Sequence, residues 1–458
     1  MQQTWQRLLA LVFLLTSLGG AFAGTATNLL LWNQAGDRVT ADVRGWPLLT
    51  LLEAIAAQSG WQVRVEPDLE QPASVKFKNL PYGEALRLLL GDLNYAVVPQ
   101  TNGPSHFYVF RTAVDRATQI VRAASDPEVA SQPKRVPNEL IIRVKPGTDI
   151  AALAKSLGAK VVGSIPEMNA YRLQFDDEEA TEAARKKLQA NPEVASVQDN
   201  FYVDQPRAPQ NLGGQAAPES RLTLDPPKQD ACKVVIGMVD GRLQNLGAQL
   251  EPFIKERVSV AGLPPTDDGQ PNHPTAMVNA ILQAVQSSGK ANTSVQIIAV
   301  DVFGADSSAN TFNVALGMIT AVNQGATIIN ASLGGYGNSP ILSDTTQLLA
   351  SKKIPVFAAV GNDASNKPFY PAADPYVTAI TASERGRLAT YANVGTAATI
   401  AAPGTVLFSY NSQTYGSRGT SVSTAVATGV AAGIADANCA PWSQVIPLLQ
   451  KNMPVPAP

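Results

Sequence analysis

Ser421 lies in the stretch GTSVSTAVATG, residues 419–429, between a glycine–threonine pair and a run of small residues that suit a helix. A serine in this setting is either the N-cap of a buried helix or a nucleophile held where that helix begins. A serine nucleophile needs a general base, an acidic residue that orients the base, and donors for an oxyanion. If Ser421 is a nucleophile, the rest of the chain must supply all three.

The base has to come from only two histidines. His106 stands beside the apolar run FYVF, which is typical of a packing or surface residue. His273 begins HPTAMVNAILQAV, and Pro274 suits the first turn of a helix because no amide donor is needed there. A histidine works as a general base near neutral pH without a large shift of its pKa. We therefore predict His273 as the base.

Asp240 is the candidate for the orienting acid. It ends the apolar run of KVVIGMVDG, at what would be the carboxyl end of a strand. An aspartate there can orient an imidazole and stabilise its charged form. The alternative is an aspartate that caps a helix or a turn, the usual role of an Asp-Gly pair.

Two further segments follow apolar strands and suit substrate binding. In IPVFAAVGND, the side-chain amide of Asn362 can donate to an oxyanion together with the backbone N–H of Ser421. The alternative is an ordinary turn asparagine. In NASLGG, three residues form an extended, glycine-flanked edge that can pair with a substrate backbone: Ser332, Leu333 and Gly334.

The elements that would position these residues alternate between strands and helices from residue 232 to about 453. KVVIGMVD, VQIIAV, ATIINASL, IPVFAAVG and VTAITAS are strand-like, and helical stretches such as TAMVNAILQAV and FNVALGMITAVNQG separate them. Continuous apolar strands separated by helices predict an α/β fold with a doubly wound, mainly parallel sheet. Functional groups gather at the carboxyl ends of strands in such sheets.

The whole chain of 458 residues is long enough for two to four domains. Its 35 basic and 37 acidic residues are balanced and form no basic stripe, so nucleic acid is not an expected partner. Residues 1–23 combine positive charge, a short apolar core and a small-residue cleavage site, which predicts a signal peptide rather than a membrane anchor. We expect a periplasmic or secreted protein without a transmembrane helix in the mature chain.

Export favours a disulfide between Cys232 and Cys439, since exported chains meet an oxidising compartment. The two cysteines are 207 positions apart, and a bridge would tie the two ends of one domain together. Two free buried thiols are the alternative, because the sequence does not show that the two Cα atoms lie close enough.

Residues 231–458 resemble the subtilisin-like serine proteases. VVIGMVDG matches the aspartate block of that family, NHPTAMVNAI its histidine block and GTSVSTAVATGVAA its serine block, in the family's order. INASLGG and AAVGND match the substrate-edge and oxyanion blocks. The resemblance implies a serine endopeptidase that cuts polypeptides, with Asp240, His273 and Ser421 as triad and Asn362 at the oxyanion. Helix capping by Ser421 would be compatible with this role.

The chain departs from the family pattern close to the triad. Pro274, Ala276 and Asn279 replace a glycine, a histidine and a glycine of the histidine block. In the serine block, Ala425 replaces the usual proline and Val426 stands where histidine is common. The alternative function is therefore a catalytically weak or inactive envelope protein that keeps the fold.

Residues 137–204 follow the order β-α-β-β-α-β, which predicts a ferredoxin-like fold. Their position before the protease-like segment makes them resemble the propeptide that assists folding of such proteases and blocks their cleft. The resemblance implies an intramolecular inhibitor. It also implies a maturation cut within about residues 202–229, in a proline- and glycine-rich linker at 205–230.

Residues 24–115, joined on by a linker at 116–136, resemble the short N-terminal domain of secretins and TonB-dependent proteins. The resemblance implies a small α/β interaction module with an envelope protein as partner. A structural appendage is the alternative.

The predicted chemistry requires no cofactor. Calcium is bound by many relatives, but the candidate aspartates show no diagnostic ligand spacing: Asp301, Asp306 and Asp363. We expect residues around Leu333, Ala358 and 370–372 to line the specificity pocket.

Overall fold

The computed structural model describes residues 29–33, 38–67, 69, 71–100, 105–121, 132–212, 222–227, 232–262, 269–288, 292–305 and 308–456. The predicted signal peptide and the candidate calcium ligand Asp306 lie outside these residues. The chain divides into two compact units, Met1–Ser125 and Asp126–Pro458. The second unit contains both the predicted propeptide and the protease-like segment.

The described residues of the first unit form two sheets and two α-helices around one apolar core. An antiparallel sheet has the order β1-β2-β4, with β1 (Leu29–Asn33), β2 (Arg38–Trp46) and β4 (Ala73–Pro81). A second sheet has the order β5-β6-β3-β7, with β3 (Gln62–Val65), β5 (Asn94–Val98), β6 (His106–Phe110) and β7 (Gln119–Val121). The helices are α1 (Leu48–Ser59) and α2 (Tyr82–Leu90).

Residues 135–204 form a small sheet with two helices on it. The elements are β8 (Arg135–Val144), α3 (Ile150–Leu157), β9 (Lys160–Ile165), β10 (Ala170–Gln174), α4 (Glu178–Gln189) and β11 (Val194–Asp204). The strand order is β11-β8-β10-β9, the arrangement of a ferredoxin-like fold. Asp149 and Asp177 cap the two helices by accepting hydrogen bonds from backbone amides. We call this segment the prodomain, after the propeptide that it resembles in sequence.

A large sheet forms the centre of the remaining chain. Its strand order is β14-β15-β13-β17-β18-β19-β20, with β21 beside β19, and every pairing except β19–β20 is parallel. The strands are β13 (Val235–Asp240), β14 (Ile254–Ser259), β15 (Gln296–Asp301), β17 (Ile328–Ala331), β18 (Val356–Ala359), β19 (Val377–Glu384), β20 (Arg387–Leu388) and β21 (Ile400–Pro403). The prediction of a mainly parallel α/β sheet is confirmed. The central strands are continuously apolar because helices cover both faces.

In the described part of the segment, five α-helices accompany this sheet: α5 (His273–Ser288), α6 (Thr311–Asn323), α7 (Pro340–Ser351), α8 (Thr420–Asn438) and α9 (Trp442–Asn452). Two apolar clusters result, one built with α5 and α8 and the other with α6 and α7. α5 and α8 approach so closely that a Cβ on Gly429 would lie 2.3 Å from the carbonyl oxygen of Ile281. The small residues around Ser421 therefore serve helix packing.

A hairpin of β22 (Thr405–Tyr410) and β23 (Gln413–Arg418) leads directly into α8. A disulfide links Cys232 to Cys439, and the two Cα atoms lie 5.1 Å apart. It joins the segment before β13 to the end of α8. Within the described part of the chain, no helix combines the length and apolarity that crossing a membrane requires.

Candidate active site

Asp240 and His273 form a buried hydrogen-bonded pair. Asp240 is the last residue of β13, and His273 is the first residue of α5. His273 Nδ1 lies 2.8 Å from Asp240 Oδ2 and 3.0 Å from Oδ1. His273 is only 4% exposed, and Asp240 is only 1% exposed. This arrangement orients the imidazole and leaves Nε2 as the nitrogen that can accept a proton.

Local contacts explain why each member of the pair is held in place. Asp240 Oδ1 also accepts from the amide of Gly241 at 2.7 Å, so the turn role and the orienting role coexist. Asn272 Oδ1 accepts from the amide of Thr275 at 3.2 Å and caps the start of α5. His273 thus projects from a rigid helix end. His106, the other histidine, lies in β6 of the first unit beside the hydroxyl of Tyr108.

Ser421 is the second residue of α8 and is 7% exposed. The alternative role of Ser421 as N-cap does not apply, because Gly419 occupies the N-cap position with φ of 152°. This backbone conformation favours glycine. The carbonyl of Ser421 accepts a hydrogen bond from Ser332 Oγ at 2.9 Å. The Ser421 backbone is therefore anchored to the carboxyl end of β17, next to β13 in the sheet.

Asn362 is fixed against the start of α8. Its Oδ1 accepts hydrogen bonds from the amide of Thr420 at 2.8 Å and from the Thr420 hydroxyl at 3.0 Å. Because the side-chain oxygen is occupied in this way, the NH₂ group remains as the donor. Asn362 is exposed, so that donor is accessible to a substrate oxygen. An amide held here can stabilise an oxyanion that forms at Ser421.

The predicted substrate edge lies beside the other site residues, but both of its side chains, those of Ser332 and Leu333, are buried. Ser332 is fully buried, and its hydroxyl accepts from Asn330 as well as donating to Ser421. Leu333 joins the apolar cluster of α6 and α7, and Gly334 is buried. Ser332 thus supports the Ser421 backbone, a role that the sequence analysis did not anticipate.

The protease-like segment offers a second strand edge, which binds the prodomain and which the sequence did not predict. β11 of the prodomain pairs antiparallel with β16 (Ser308–Asn310), which immediately precedes α6. The short polar stretch SAN carries no apolar alternation that would predict a strand. Gly335, just past the predicted edge, also approaches the prodomain, since a Cβ there would lie 3.1 Å from the carbonyl oxygen of Tyr202.

The prodomain caps the helices on this side of the sheet. Asn200 Oδ1 accepts from the hydroxyl of Thr311 at 3.0 Å and from the amide of Phe312 at 3.2 Å, at the start of α6. Gln198 Oε1 accepts from the amide of Ile341 at 2.7 Å, at the start of α7. Free amides at helix starts are satisfied in this way by another domain.

The chain leaving the prodomain passes along the candidate site. After β11, residues 205–209 have no regular structure, and β12 (Gln210–Asn211) then pairs antiparallel with β23. β23 ends three residues before Ser421. Farther along, Leu222 is buried in the apolar cluster of α5 and α8. Residues 205–212 therefore lead from the prodomain to β23, the strand that runs into α8.

The departures from the family pattern are accommodated by packing. Ala276 and Ala425 are fully buried in the interior of the protease-like segment. The side-chain amide of Asn279 donates to the carbonyl of Thr275 at 2.9 Å within α5. A Cβ on Gly241 would lie in ordinary contact with the Pro274 ring at 3.6 Å.

Two of the three candidate calcium ligands have protein donors. Asp301 Oδ1 accepts from the amides of Phe303 and Gly304, and its Oδ2 accepts from Ser259. Asp363 Oδ2 accepts from the hydroxyl of Tyr336 at 2.6 Å. In the described ranges, no group of three or more His, Cys, Asp or Glu side chains is arranged to hold a metal ion.

Residues 233–449 match the family described as Subtilase family, Peptidase_S8. Residues 122–200 match the Fervidolysin N-terminal prodomain. The order of the two matches along the chain is the order expected for a protease with an N-terminal prodomain.

Several individual proteins are similar to this chain. It is 32% identical to Subtilisin Savinase of Lederbergia lenta over 170 residues, which cover 36% of this chain and 63% of that protein. It is 27% identical to the Thermophilic serine proteinase of Bacillus sp. (strain AK1) over 285 residues, covering 59% and 70%. Fervidolysin of Fervidobacterium pennivorans, a keratinolytic enzyme related to subtilisin, has a TM-score of 0.53 at 17% identity. That likeness covers 69% of this chain and 57% of fervidolysin, and it shows a shared fold.

The chain spans less than two thirds of the length of Savinase. Together, the matches support a serine protease domain of the subtilase type with a prodomain before it.

Proposed function

We propose that this chain is an exported serine endopeptidase that hydrolyses peptide bonds through Asp240, His273 and Ser421 and matures from a proenzyme. The observation that carries the proposal is the buried hydrogen bond between His273 Nδ1 and Asp240, at one end of the sheet that also anchors Ser421. The subtilase match over residues 233–449 supports the same chemistry.

Each side chain has a defined task in this mechanism. His273 Nε2 takes the proton of the Ser421 hydroxyl while Oγ attacks the scissile carbonyl carbon. Asp240 holds the imidazole in the required tautomer and stabilises the imidazolium that forms. The Asn362 amide and the backbone N–H of Ser421 donate to the oxyanion. His273 then returns the proton to the leaving amine, and water hydrolyses the acyl-enzyme in the same way.

The prodomain would act as an intramolecular inhibitor. Its last strand pairs with β16, and the chain that follows pairs through β12 with β23, the strand that leads into α8. Leu222 lies in the protease core and would stay with the mature enzyme. We therefore narrow the proposed maturation cut from residues 202–229 to residues 205–221.

Export and the envelope partner remain proposals from the sequence. Residues 1–23 have the composition of a signal peptide, and the disulfide between Cys232 and Cys439 suits an oxidising compartment. We therefore propose that the protein is periplasmic or secreted. We propose that residues 24–115 form a module that contacts an envelope protein, in line with their resemblance to the secretin and TonB N-terminal domain.

Autoprocessing tests the function directly. The full-length wild-type chain should shorten on incubation to a fragment whose N-terminus lies within residues 205–221, as mapped by mass spectrometry. Ser421→Ala should stay full length under the same conditions, and purified wild type should process it in trans. A wild-type chain that stays intact and cleaves no peptide would support the alternative, an inactive subtilisin-fold envelope protein.

A further inference from the structure

We propose that Phe369 restricts the substrate residue on the acyl side of the scissile bond, the P1 residue, to glycine, alanine or serine. The ring of Phe369 fills the space where a larger P1 side chain would lie. This inference rests on the proposed function, because it concerns the substrate of the same Ser421 site.

The P1 side chain has to lie between the carboxyl ends of two neighbouring strands. β17 and β18 pair in parallel, and β17 continues into the predicted substrate edge while β18 continues into Gly361 and Asn362. A substrate carbonyl bound at Ser421 directs its oxygen toward the Asn362 amide. With the substrate backbone along the edge, the P1 side chain points into the gap between Gly334 and Gly361.

Phe369 occupies this gap and touches both of its walls. A Cβ on Gly334 would lie 2.4 Å from Phe369 Cε1 and 2.8 Å from Cδ1. A Cβ on Gly361 would lie 3.1 Å from Phe369 Cδ2. The ring thus packs directly on the backbone at both positions. Gly361 also has φ of 97°, a conformation that favours glycine in any case.

The backbone of Phe369 is held in place by hydrogen bonds. Its amide donates to Thr396 Oγ1 at 3.0 Å. The next residue, Tyr370, exchanges two backbone hydrogen bonds with Gly335, at 2.9 and 2.7 Å. The segment that carries the ring is therefore attached to the end of the substrate edge.

The ring itself is held by Tyr336, which meets it edge to face with centroids 5.1 Å apart and an interplanar angle of 78°. The Tyr336 hydroxyl donates to Asp363 at 2.6 Å and accepts from Asn393 Nδ2 at 3.0 Å. Burial, with the charge of Asp363, raises the pKa of Tyr336 above its ordinary value, so the donating proton stays in place. The Phe369 ring therefore packs against a tyrosine that hydrogen bonds hold in place.

The consequence is a shallow site for the P1 side chain. A pocket filled by a protein ring admits a hydrogen, a methyl or a hydroxymethyl group and excludes branched and aromatic side chains. The proposed maturation segment contains suitable residues, since Gly213, Gly214, Ala216 and Ala217 all precede Leu222. A protease with this restriction could process its own linker.

Peptide hydrolysis by the full-length chain after maturation tests the proposal. Two tetrapeptide p-nitroanilides that differ only at P1, alanine or phenylalanine, are compared by kcat/KM. We expect wild type to prefer alanine by at least about tenfold, the size of effect that a misfit side chain causes in a closed pocket. Phe369→Gly should reverse this preference, and Phe369→Leu should reduce it. Phe253→Leu, at a buried phenylalanine in the apolar cluster of α5 and α8, is the control and should keep the wild-type ratio.

Three outcomes would overturn the proposal. The first is a wild-type enzyme that prefers phenylalanine, and the second is a ratio that neither Phe369 variant changes although both still cleave the alanine peptide. In both cases the proposed proteolytic function stands. If Phe369→Gly does not fold, the test rests on the ratio of kcat/KM values in wild type and on the change of that ratio in Phe369→Leu. The third is a wild-type chain that cleaves no peptide, which overturns this inference together with the proposed function.

Discussion

The side-chain oxygen of Asn362 accepts two hydrogen bonds from Thr420, the residue directly before Ser421. This contact connects the loop after β18 to the first turn of α8, and it orients the Asn362 amide at the same time. Asn362 therefore has a structural role through its oxygen and a proposed catalytic role through its nitrogen. Substitution can separate the two.

Asn362→Asp keeps an oxygen for Thr420 and removes the NH₂ donor, whereas Asn362→Ala removes both. We expect kcat to fall about 10²- to 10³-fold in each variant, the loss that removal of one oxyanion donor causes in serine proteases. Thermal unfolding should show a lower Tm for Asn362→Ala than for Asn362→Asp. Wild-type kcat in Asn362→Asp would show that Asn362 is only a structural residue.

The buried pair of Asp240 and His273 predicts a large effect of a nearly isosteric change. Asp240→Asn replaces an acceptor by a group that can donate to Nδ1, which favours the wrong imidazole tautomer. We expect kcat to fall about 10⁴-fold without loss of folding. Asp301→Asn is the matched control, because Asp301 ends the neighbouring strand β15 in register with Asp240. Equal losses in the two variants would contradict the assignment of Asp240.

Capping of α6 by Asn200 predicts weaker retention of the prodomain after cleavage in Asn200→Ala. The variant loses two acceptor contacts to the start of α6, and a hydrogen bond contributes about 0.5–1.5 kcal/mol. We expect the cleaved prodomain to dissociate about five- to a hundredfold faster, seen as a shorter lag before peptide hydrolysis. Gln174→Ala, at an exposed position of β10, should leave the lag unchanged. An unchanged lag in Asn200→Ala would mean that this cap does not hold the prodomain.

Asp374 predicts a pH dependence of stability. Burial raises the pKa of its carboxyl above the ordinary value of 3.8, against the hydrogen bond that Ser343 donates, and nearby Asp344 adds to the rise. A raised pKa in the folded state favours the protonated form. The stability contribution is therefore complete below pH 3.8 and is lost as the pH rises through the folded pKa.

Asp374→Asn removes this ionisation while keeping an oxygen for Ser343. In a Ser421→Ala background, which keeps the chain whole, the Tm of the variant relative to the parent should increase from pH 3 to pH 7. Asp176→Asn, at an exposed position, serves as control and should show no such trend. A constant Tm difference across this range would argue against a raised pKa in the folded state.

The sequence predicted most of the parallel sheet because its central strands are continuously apolar and helices separate them. Weak strands were not predicted. In β14, half-buried and exposed side chains alternate, and the strand lies at the edge of the sheet. β16 is only three residues long and is mostly polar. Such strands form because a neighbouring strand offers hydrogen-bond partners, and a local apolar pattern carries no information about that neighbour.

The sequence by itself determined the chemical inventory: one histidine in the protease-like segment, an aspartate at the end of an apolar strand and a serine at the start of a helix of small residues. These features are local, so residue type and spacing reveal them. Only the tertiary structure decided how the site is closed. Asn200 reaches α6 across 111 positions, and Phe369 packs between two glycines from different segments. Such contacts depend on how distant elements pack, and no local period of the sequence encodes them.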